Sequence, residues 1–406
     1  MKEILWELTP VDEFIKRIKP HLKISFNTKN VSLDEAVGKI SAENITSNLE
    51  LPPYPKSVMD GYAVTSDDCS GASHISPAIL KVNKVTITSG KKLSIKAKNG
   101  EAIPIETGGY LPEGTDAVVK LEDTIKRNDV IEVLKSVAKY ENVSLPGEEL
   151  RIGDTIIRKG DIIRPWHLAA LEAIGKTEIK ILDLKAYILC TGDEFVKDPK
   201  FPPFTRRLVS GWLHEHGITV SKMDLSTDDV EEILTKILKA LQRNDIIITL
   251  GGTSKGSRDN VFDAILKLNP SIIIRGLAVQ PGKTASFYAI NGNLIASLSG
   301  LPVAALSSLE LALRPLLQEW IGIKFLPRPK VKAILTRRVT TKTGLIGFVR
   351  VKVFSKDGKL YAEPLMTGGS GAIRSLLNGN GILKIPIVLE GFEEGDVVEV
   401  ELYGPV

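Results

Sequence analysis

The sequence predicts a multidomain α/β plus β fold from three observations. Residues 246–249 (IIIT) are β-branched and predict a strand buried on both faces, which the glycine loop GGTSKGS (251–257) connects to apolar residues at helical spacing. Between residues 180 and 320, strand and helix patterns alternate with short connections, which indicates a mostly parallel, doubly wound sheet. Residues 60–136 and 331–406 alternate in hydrophobicity every second residue, which predicts two small β modules.

The composition narrows the class of protein. The chain has 406 residues, of which 43% are hydrophobic, and a formal net charge of +4. This length predicts more than one domain, and the small, scattered charge gives no sign of a nucleic-acid-binding surface. No apolar run approaches the roughly 20 residues that cross a membrane, and the acidic N-terminus does not resemble a signal peptide. Because Cys69 and Cys190 are far apart in sequence, we expect no disulfide framework or cysteine metal site, and a cytoplasmic location.

Several local patterns make finer predictions. The capping-box pair Ser32 and Glu35 predicts the start of a helix. Alternating residues around a Ser-Gly turn at 89–90 predict a hairpin in the first β module. Because His214 and His216 lie two positions apart on a predicted helix, they face different directions, and we expect both to be surface residues.

Acidic residues follow three successive strands of the α/β region. The first strand is followed by Asp193 and Glu194 in the predicted loop TGDE, the second by Asp228 and Asp229, and the third by Asp259. The carboxyl ends of parallel strands meet at one edge of a sheet, where ligands bind. Clustered carboxylates at that edge suit a phosphorylated ligand held through Mg²⁺. Each acid alone is more simply explained as a helix N-cap, so the functional interpretation depends on their occurrence in three successive loops.

Three other loops carry weaker signals. In QPGKT (280–284), a Pro-Gly turn presents Lys283 either to an oxyanion or only to solvent. The stretch SGLPVAA (299–305) either binds an anion or merely starts a helix. Asp60, in SVMDGYAV, is either a turn residue or a carboxylate delivered into a site.

Seven motifs occur in the order and spacing of one known family. They are PPYPKSVMDGYAV, IETGGYLPEGTDAVV, ENVSLPGEEL, CTGDEF, LGGTSKGSRD, QPGKT and LSGLPVAA. Over nearly its whole length the chain therefore resembles the MoeA family of molybdopterin molybdenumtransferases, which includes the E domain of gephyrin. One of these motifs alone would be a weak signal, whereas the collinear set is specific.

The resemblance implies a doubly wound α/β pterin-binding domain, an elongated linker domain and two small β modules. The expected domains are an elongated mixed α/β dimerisation domain (1–50 and 137–178), an inserted β module (51–136), the α/β molybdopterin-binding domain (179–327) and a C-terminal β-barrel-like domain (328–406). Family members are homodimers in which the β module of one subunit reaches the α/β domain of the other. This arrangement implies that Asp60 acts across the dimer.

The resemblance also implies a reaction and its participants. The chain would insert molybdenum from molybdate, or tungsten from tungstate, into adenylylated molybdopterin and release AMP, with Mg²⁺ as the divalent cofactor. A molybdopterin adenylyltransferase is a further partner that the resemblance suggests. The implied catalytic residues are Asp60, Glu194, Asp228, Asp259 and Lys283, of which Asp60, Glu194 and Asp259 would hold the metal. The implied substrate-binding residues are Thr107, Glu149, Thr191, Gly192, Asp193, Gly251, Gly252, Ser254, Gly282, Pro302, Arg350 and Ser370.

The chain departs from the family pattern at several of these positions. Glu149 replaces an aspartate, Ser257 replaces an acid, Gln280 replaces the first lysine of KPGKP, and Ser299, Leu301 and Ala304 replace proline, asparagine and serine. Losing the cation at position 280 removes one charge-assisted contact of roughly 1.5–3 kcal/mol, which Arg275 could replace.

These departures motivate a second hypothesis. In it, the chain is a non-catalytic paralogue that binds pterin or nucleotide as a carrier or regulator. Tight molybdopterin binding without molybdate-dependent turnover would distinguish this hypothesis from the first. A scaffold role like that of gephyrin is a third hypothesis, which the absence of long polar linkers from the sequence disfavours.

Overall fold

Two compact units make up the chain. The computed structural model describes residues 7–197, 202–252, 259–365 and 372–406. One unit comprises Met1–Glu43, Ile157–Ala169 and Thr177–Val406, and the other comprises Asn44–Ile156 and Ala170–Lys176. The four domains that the resemblance implies stay a prediction.

A six-stranded sheet forms the centre of the first unit. Its strands, named β1 to β6 in chain order, are Lys185–Thr191, Thr219–Ser226, Ile246–Leu250, Ile272–Arg275, Ser286–Ile290 and Asn293–Leu298. They lie in the spatial order β2-β1-β3-β6-β5-β4. The pairs β1–β2, β1–β3 and β3–β6 are parallel, whereas β5 and β4 continue the sheet as antiparallel strands. The prediction of a mostly parallel sheet is therefore confirmed.

Apolar side chains cover both faces of this sheet. In β3, Ile246, Ile248 and Leu250 pack into one hydrophobic core, and Ile247 packs into a second core on the opposite face. Successive side chains of a strand point to opposite faces, so the uninterrupted apolar run that predicted β3 follows from burial on both sides.

Helices connect the strands and supply the two cores. We name them α1 to α6 in chain order: Asp193–Lys197, Thr205–Glu215, Val230–Leu241, Asn260–Leu266, Pro302–Ser308 and Arg314–Ile321. A π-helical segment, Leu309–Leu313, joins α5 to α6. It ends two residues before Pro315, which has no N–H to continue a regular hydrogen-bond ladder. Among the described residues, no helix is both long enough and apolar enough to span a bilayer.

The second unit contains a six-stranded β-sheet, as the alternating hydrophobicity of residues 60–136 predicts. Its strands, in spatial order, are Ala117–Lys120, Gly61–Val64, Glu101–Ile105, Ala78–Val82, Val130–Val133 and Thr124–Arg127. The last two form a hairpin around Asn128, which has a positive φ of 53°. Such a turn favours asparagine because its side chain tolerates left-handed backbone.

The C-terminal part of the first unit is a small barrel. Its strands, in spatial order, are Val279–Gln280, Ile346–Lys356, Lys359–Pro364, Lys330–Leu335, Val397–Leu402 and Gly381–Ile385. The last of these pairs with Ile346–Lys356, which closes the sheet on itself.

The remaining helical segments are Val11–Ile18, Lys19–His21, Leu33–Ala36, Ser66–Cys69, Leu121–Asp123, Pro165–Ala173 and Ile373–Asn378. The remaining strands are Thr28–Ser32, Ile45–Thr46, Lys56–Ser57, Val143–Ser144, Thr155–Ile157, Glu178–Leu182, Val339–Thr340 and Gly391–Phe392.

The predicted capping box is wrong in detail. Ser32 precedes a helix of a single turn, and its side chain makes no capping hydrogen bond. The reason is that Ser32 is also the last residue of a strand that pairs with Glu178–Leu182, so the sheet and not the helix fixes its backbone. The loop predicted for TGDE is likewise shorter than expected, because α1 begins at Asp193.

The hairpin predicted around residues 89–90 does not form. Ile87 instead makes an isolated parallel bridge to Ile105, and Lys96 makes one to Glu113. The alternating apolar residues of this stretch pack against the sheet of the second unit rather than pair with each other. Their alternating spacing therefore reflects the burial of one face of this stretch against the sheet and does not indicate a hairpin.

The prediction that His216 is a surface residue is also wrong. Its side chain is buried at the end of α2, where the ring stacks on Trp212 with 3.8 Å between ring centroids. The Nδ1–H donates to the Trp212 carbonyl oxygen at 2.7 Å. The two side chains are four positions apart in sequence, so they share one helix face. Phe325 covers the imidazole edge-on. His214 is exposed, as predicted.

Candidate active site

A pocket of about 500 Å³ opens at the carboxyl ends of the parallel strands. Its lining residues end β1, follow β1, β2, β3 or β6, or begin α4: Thr191, Gly192, Glu194, Phe195, Asp228, Gly251, Gly252, Asn260, Gly300 and Leu301. Ligands of open α/β sheets bind at this edge. Two of the predicted acids, Glu194 and Asp228, therefore share one cavity with Gly251 and Gly252, the first two residues of the predicted glycine loop.

Hydrogen bonds tie together the loops that carry these acids. The Asp228 N–H donates to Asp193 Oδ1 at 3.1 Å, and the Asp193 N–H donates to Asp228 Oδ2 at 3.4 Å. The Asn260 amide donates to the Asp228 carbonyl oxygen at 2.5 Å. The position of Asp228 thus depends on the loop after β1 and on the first residue of α4. Sequence reasoning missed Asn260, although it directly follows the predicted Asp259.

Two acids of the region cap helices. Asp229 accepts from the Glu232 N–H at 2.8 Å at the start of α3, and Asp259 accepts from the Phe262 N–H at 3.0 Å at the start of α4. The local interpretation is therefore confirmed for Asp259. Its second carboxylate oxygen accepts from Arg275 at 3.1 Å. Burial raises the pKa of Asp259, against the lowering effects of the Phe262 N–H and of Arg275.

Thr191 ends β1 beside the glycine loop. Its side chain is buried, and its hydroxyl has no hydrogen-bond partner among the described residues. Gly251 and Gly252 both have positive φ, of 98° and 66°. A Cβ atom at either glycine would lie 3.3 Å from the Thr191 hydroxyl oxygen, and one at Gly251 would lie 2.5 Å from the Thr191 carbonyl oxygen. Glycine is therefore required at both positions, by backbone conformation and by space.

Asp60 and Thr107, both in the second unit, are direct neighbours. Thr107 donates its backbone N–H and its hydroxyl to Asp60 Oδ1, at 2.7 and 2.9 Å. These two bonds, the backbone one first, lower the pKa of Asp60, so the exposed carboxylate is ionised at neutral pH. Glu149 pairs with Lys56 at 2.6 Å. The role of these residues across a dimer stays a prediction.

The other predicted residues of the first unit lie outside the lining of this pocket. Lys283 is exposed, and Pro302 is buried at the start of α5. Gly282 has a φ of 118°, and a Cβ there would lie 2.8 Å from the Ser308 hydroxyl oxygen. Arg350 is buried and donates to the Ser375 hydroxyl oxygen and to the Phe348 carbonyl oxygen, both at 3.1 Å. Ser254 and Ser370, as well as Ser257, are outside the described residues.

The donor atoms at the pocket suit a cation that arrives with its substrate. Within the described ranges, no three Asp, Glu, His or Cys residues are grouped as a metal site. Glu194 and Asp228 provide two carboxylates at one cavity. Mg²⁺ is usually held by one or two carboxylates together with substrate phosphates and water. Asp259 is less suited to this role, because Arg275 already neutralises its charge.

Comparisons with known proteins agree along the whole chain. Three family models match: "MoeA N-terminal region (domain I and II)" at residues 9–175, "Probable molybdopterin binding domain" at 187–319 and "MoeA C-terminal region (domain IV)" at 332–403. A Methanocaldococcus jannaschii protein named for molybdopterin biosynthesis is 34% identical, with 95% of each chain covered. The molybdopterin molybdenumtransferase of Staphylococcus epidermidis is 30% identical, over 97% of this chain and 95% of that protein. The crystal structure of a Pyrococcus horikoshii MoeA protein is 27% identical and covers 98% of this chain and 100% of its own, with a TM-score of 0.80.

Proposed function

The chain belongs to the MoeA family of molybdenum cofactor biosynthesis, and from that premise we propose that it inserts molybdenum or tungsten into adenylylated molybdopterin with release of AMP. The family assignment makes the protein a transferase; the proposal concerns the form of its substrates and the site of the reaction. The observation that carries it is the pocket in which Glu194, Asp228 and the Gly251–Gly252 turn meet. That pocket is lined by residues within the range that matches the molybdopterin-binding model.

The lining divides into parts with different chemistry. Phe195 and Leu301 supply apolar surface that suits a flat ring, and the turn at Gly251 and Gly252 admits a ligand close to the backbone. Glu194 and Asp228 would hold a divalent cation with the substrate phosphates. When bound, that cation would neutralise charge on the phosphoanhydride that breaks. The protein's own contribution is then positioning, since Asp193 and Asn260 fix the loop of Asp228.

AMP release from adenylylated molybdopterin, with and without molybdate or tungstate, tests the proposal. We expect release to depend on the oxyanion. Glu194→Gln and Asp228→Asn should each lower the rate by about 100-fold or more, because each removes a charge that acts on the reacting phosphates. Glu231→Gln is a matched control, since Glu231 is an exposed acid on α3 that pairs with Lys267 outside the pocket. Full activity of both pocket variants would refute the proposed site.

The carrier hypothesis keeps one observation in its favour. Leu301 lines the pocket at the position where the family pattern has asparagine, so an apolar side chain replaces a hydrogen-bonding one. Leu301→Asn distinguishes the two functions. The chain is a carrier if the wild-type protein binds adenylylated molybdopterin without releasing AMP and Leu301→Asn restores the release. We expect instead that the wild-type protein releases AMP.

We further propose that the protein acts as a homodimer in which Asp60 serves the pocket of the partner subunit. The support is the resemblance, together with an ionised, exposed Asp60 held by Thr107. Mixing inactive Asp60→Asn and Glu194→Gln proteins tests it. Mixed dimers should regain activity, because one of their two sites contains both wild-type residues. No recovery after subunit exchange would show that Asp60 does not act in trans.

A further inference from the structure

Arg275 belongs to a small group of largely buried side chains at the start of α4. The guanidinium donates to Asp259 Oδ2 at 3.1 Å, and its central carbon lies 3.9 Å from the centroid of the Phe262 ring. Asp259 in turn accepts from the Phe262 N–H at 3.0 Å. The side chains of Arg275 and Asp259 are only 15% and 13% exposed. We call these three residues the Arg275 clamp.

The clamp fastens the start of α4 to the sheet. Arg275 is the last residue of β4, and Asp259 is the N-cap of α4. The next residue, Asn260, lines the pocket and donates to the carbonyl oxygen of Asp228. A connected path of contacts therefore runs from Arg275 through Asp259 and Asn260 to Asp228.

We propose that Arg275 is a positioning residue, which supplies the permanent positive charge for Asp259 and thereby holds Asn260 and Asp228 at the pocket. The proposal rests on the proposed function for its catalytic consequence. It also separates Asp259 from the cation that the substrate brings. A divalent ion bound to Asp259 would lie beside a guanidinium of like charge, which disfavours a ligand role for Asp259.

A Mn²⁺ titration in the presence of AMP, monitored by electron paramagnetic resonance, tests whether Asp259 is separate from the cation site. Asp259→Asn should leave the Mn²⁺ affinity within about twofold of wild type, whereas Glu194→Gln and Asp228→Asn should each weaken it by about tenfold or more. A loss of about tenfold or more in Asp259→Asn but not in Arg275→Met, which breaks the same path of contacts, would show that Asp259 is a ligand and would overturn this assignment.

A double-mutant cycle tests the positioning role. Arg275→Met keeps much of the apolar stem and should lower kcat by about tenfold with KM nearly unchanged, since a misplaced Asp228 loop impairs the reaction more than binding. Adding Asp259→Asn should cause no further loss, because Arg275 acts through Asp259. Arg275→Lys retains the charge and should recover part of the rate. Independent, multiplicative losses would refute the clamp.

A control variant and a comparison of melting temperatures complete the test of the Arg275 clamp. Lys222→Met removes a 2.6 Å ion pair with Asp224 on β2, away from the pocket lining, and should leave kcat unchanged. Arg275→Met should melt at a lower temperature than the double variant, because it alone leaves a buried carboxylate without its cation. This order of melting temperatures holds even if wild type releases no AMP, an outcome that would refute the proposed function separately. The reverse order would refute the clamp.

Discussion

Replacing Thr191 with valine should raise stability and weaken ligand binding at the same time. The substitution keeps the branched shape of the side chain and removes only the hydroxyl. That hydroxyl is buried and has no partner among the described residues, so the folded, ligand-free protein bears its desolvation cost. A bound ligand with an acceptor atom at the pocket would accept its hydrogen bond. The two effects therefore have opposite signs.

The expected magnitudes follow from the burial of this one group. Removing an unsatisfied buried hydroxyl should raise the free energy of unfolding by about 1–2 kcal/mol. Losing one neutral hydrogen bond to the ligand costs about 0.5–1.5 kcal/mol, which corresponds to an increase in Kd of about 2- to 12-fold. Thr191→Ser retains the hydroxyl and should bind with an affinity closer to that of wild type.

Urea unfolding without ligand and calorimetric titration with AMP and with adenylylated molybdopterin measure the two effects. Ser226→Ala is the matched control. Ser226 ends β2 in register with Thr191 and also has a buried hydroxyl with no partner among the described residues, but it does not line the pocket. It should gain stability without losing affinity. Unchanged affinity for both ligands in Thr191→Val, or a loss of stability, would refute the reasoning.

Three further predictions concern single side chains. Burial lowers the pKa of His216 below its ordinary 6.5, so the unfolded chain binds more protons than the folded chain. The free energy of unfolding should therefore fall as the pH drops below 6.5. Urea unfolding at about pH 7.5 and about pH 5.5 should show that His216→Phe removes this loss. Phe14→Ala should lower the free energy of unfolding by about 3–5 kcal/mol in the same assay, because the ring is fully buried and its centroid lies 4.4 Å from that of the Phe287 ring. A decrease of less than about 1 kcal/mol would contradict this packing. Thr107→Val removes one of two hydrogen bonds to Asp60, so the pKa of Asp60 should rise towards 3.8 in an NMR titration, and no rise would contradict the contact.

The sequence predicted the parts of the fold that depend on local patterns. The β-branched run at 246–249 predicted a strand buried on both faces because consecutive isoleucines point to opposite faces. Its one polar side chain, Thr249, is buried and donates to the Ser297 hydroxyl oxygen at 2.9 Å. Acids after successive strands predicted that Glu194 and Asp228 would meet, because parallel strands end at one edge of the sheet. The glycine loop was predicted from GGTSKGS, and its first two residues, Gly251 and Gly252, both have positive φ.

The missed features depend on contacts between residues distant in sequence. The pairing of Arg275 with Asp259 was not predicted, because it depends on an antiparallel strand that ends beside the start of α4. The burial of His216 depends on Trp212 and on Phe325, which follows the last helix of the α/β region. Periodicity detects a buried face, but it does not identify what covers that face.

The most direct test of the central claim is the ratio of metal incorporated to AMP released. Purified protein would be incubated with adenylylated molybdopterin and molybdate or tungstate, and the pterin product would be analysed for metal. We predict one metal atom per AMP, with both quantities lost together in Glu194→Gln. AMP release that is independent of the oxyanion, or pterin product without metal, would contradict the account.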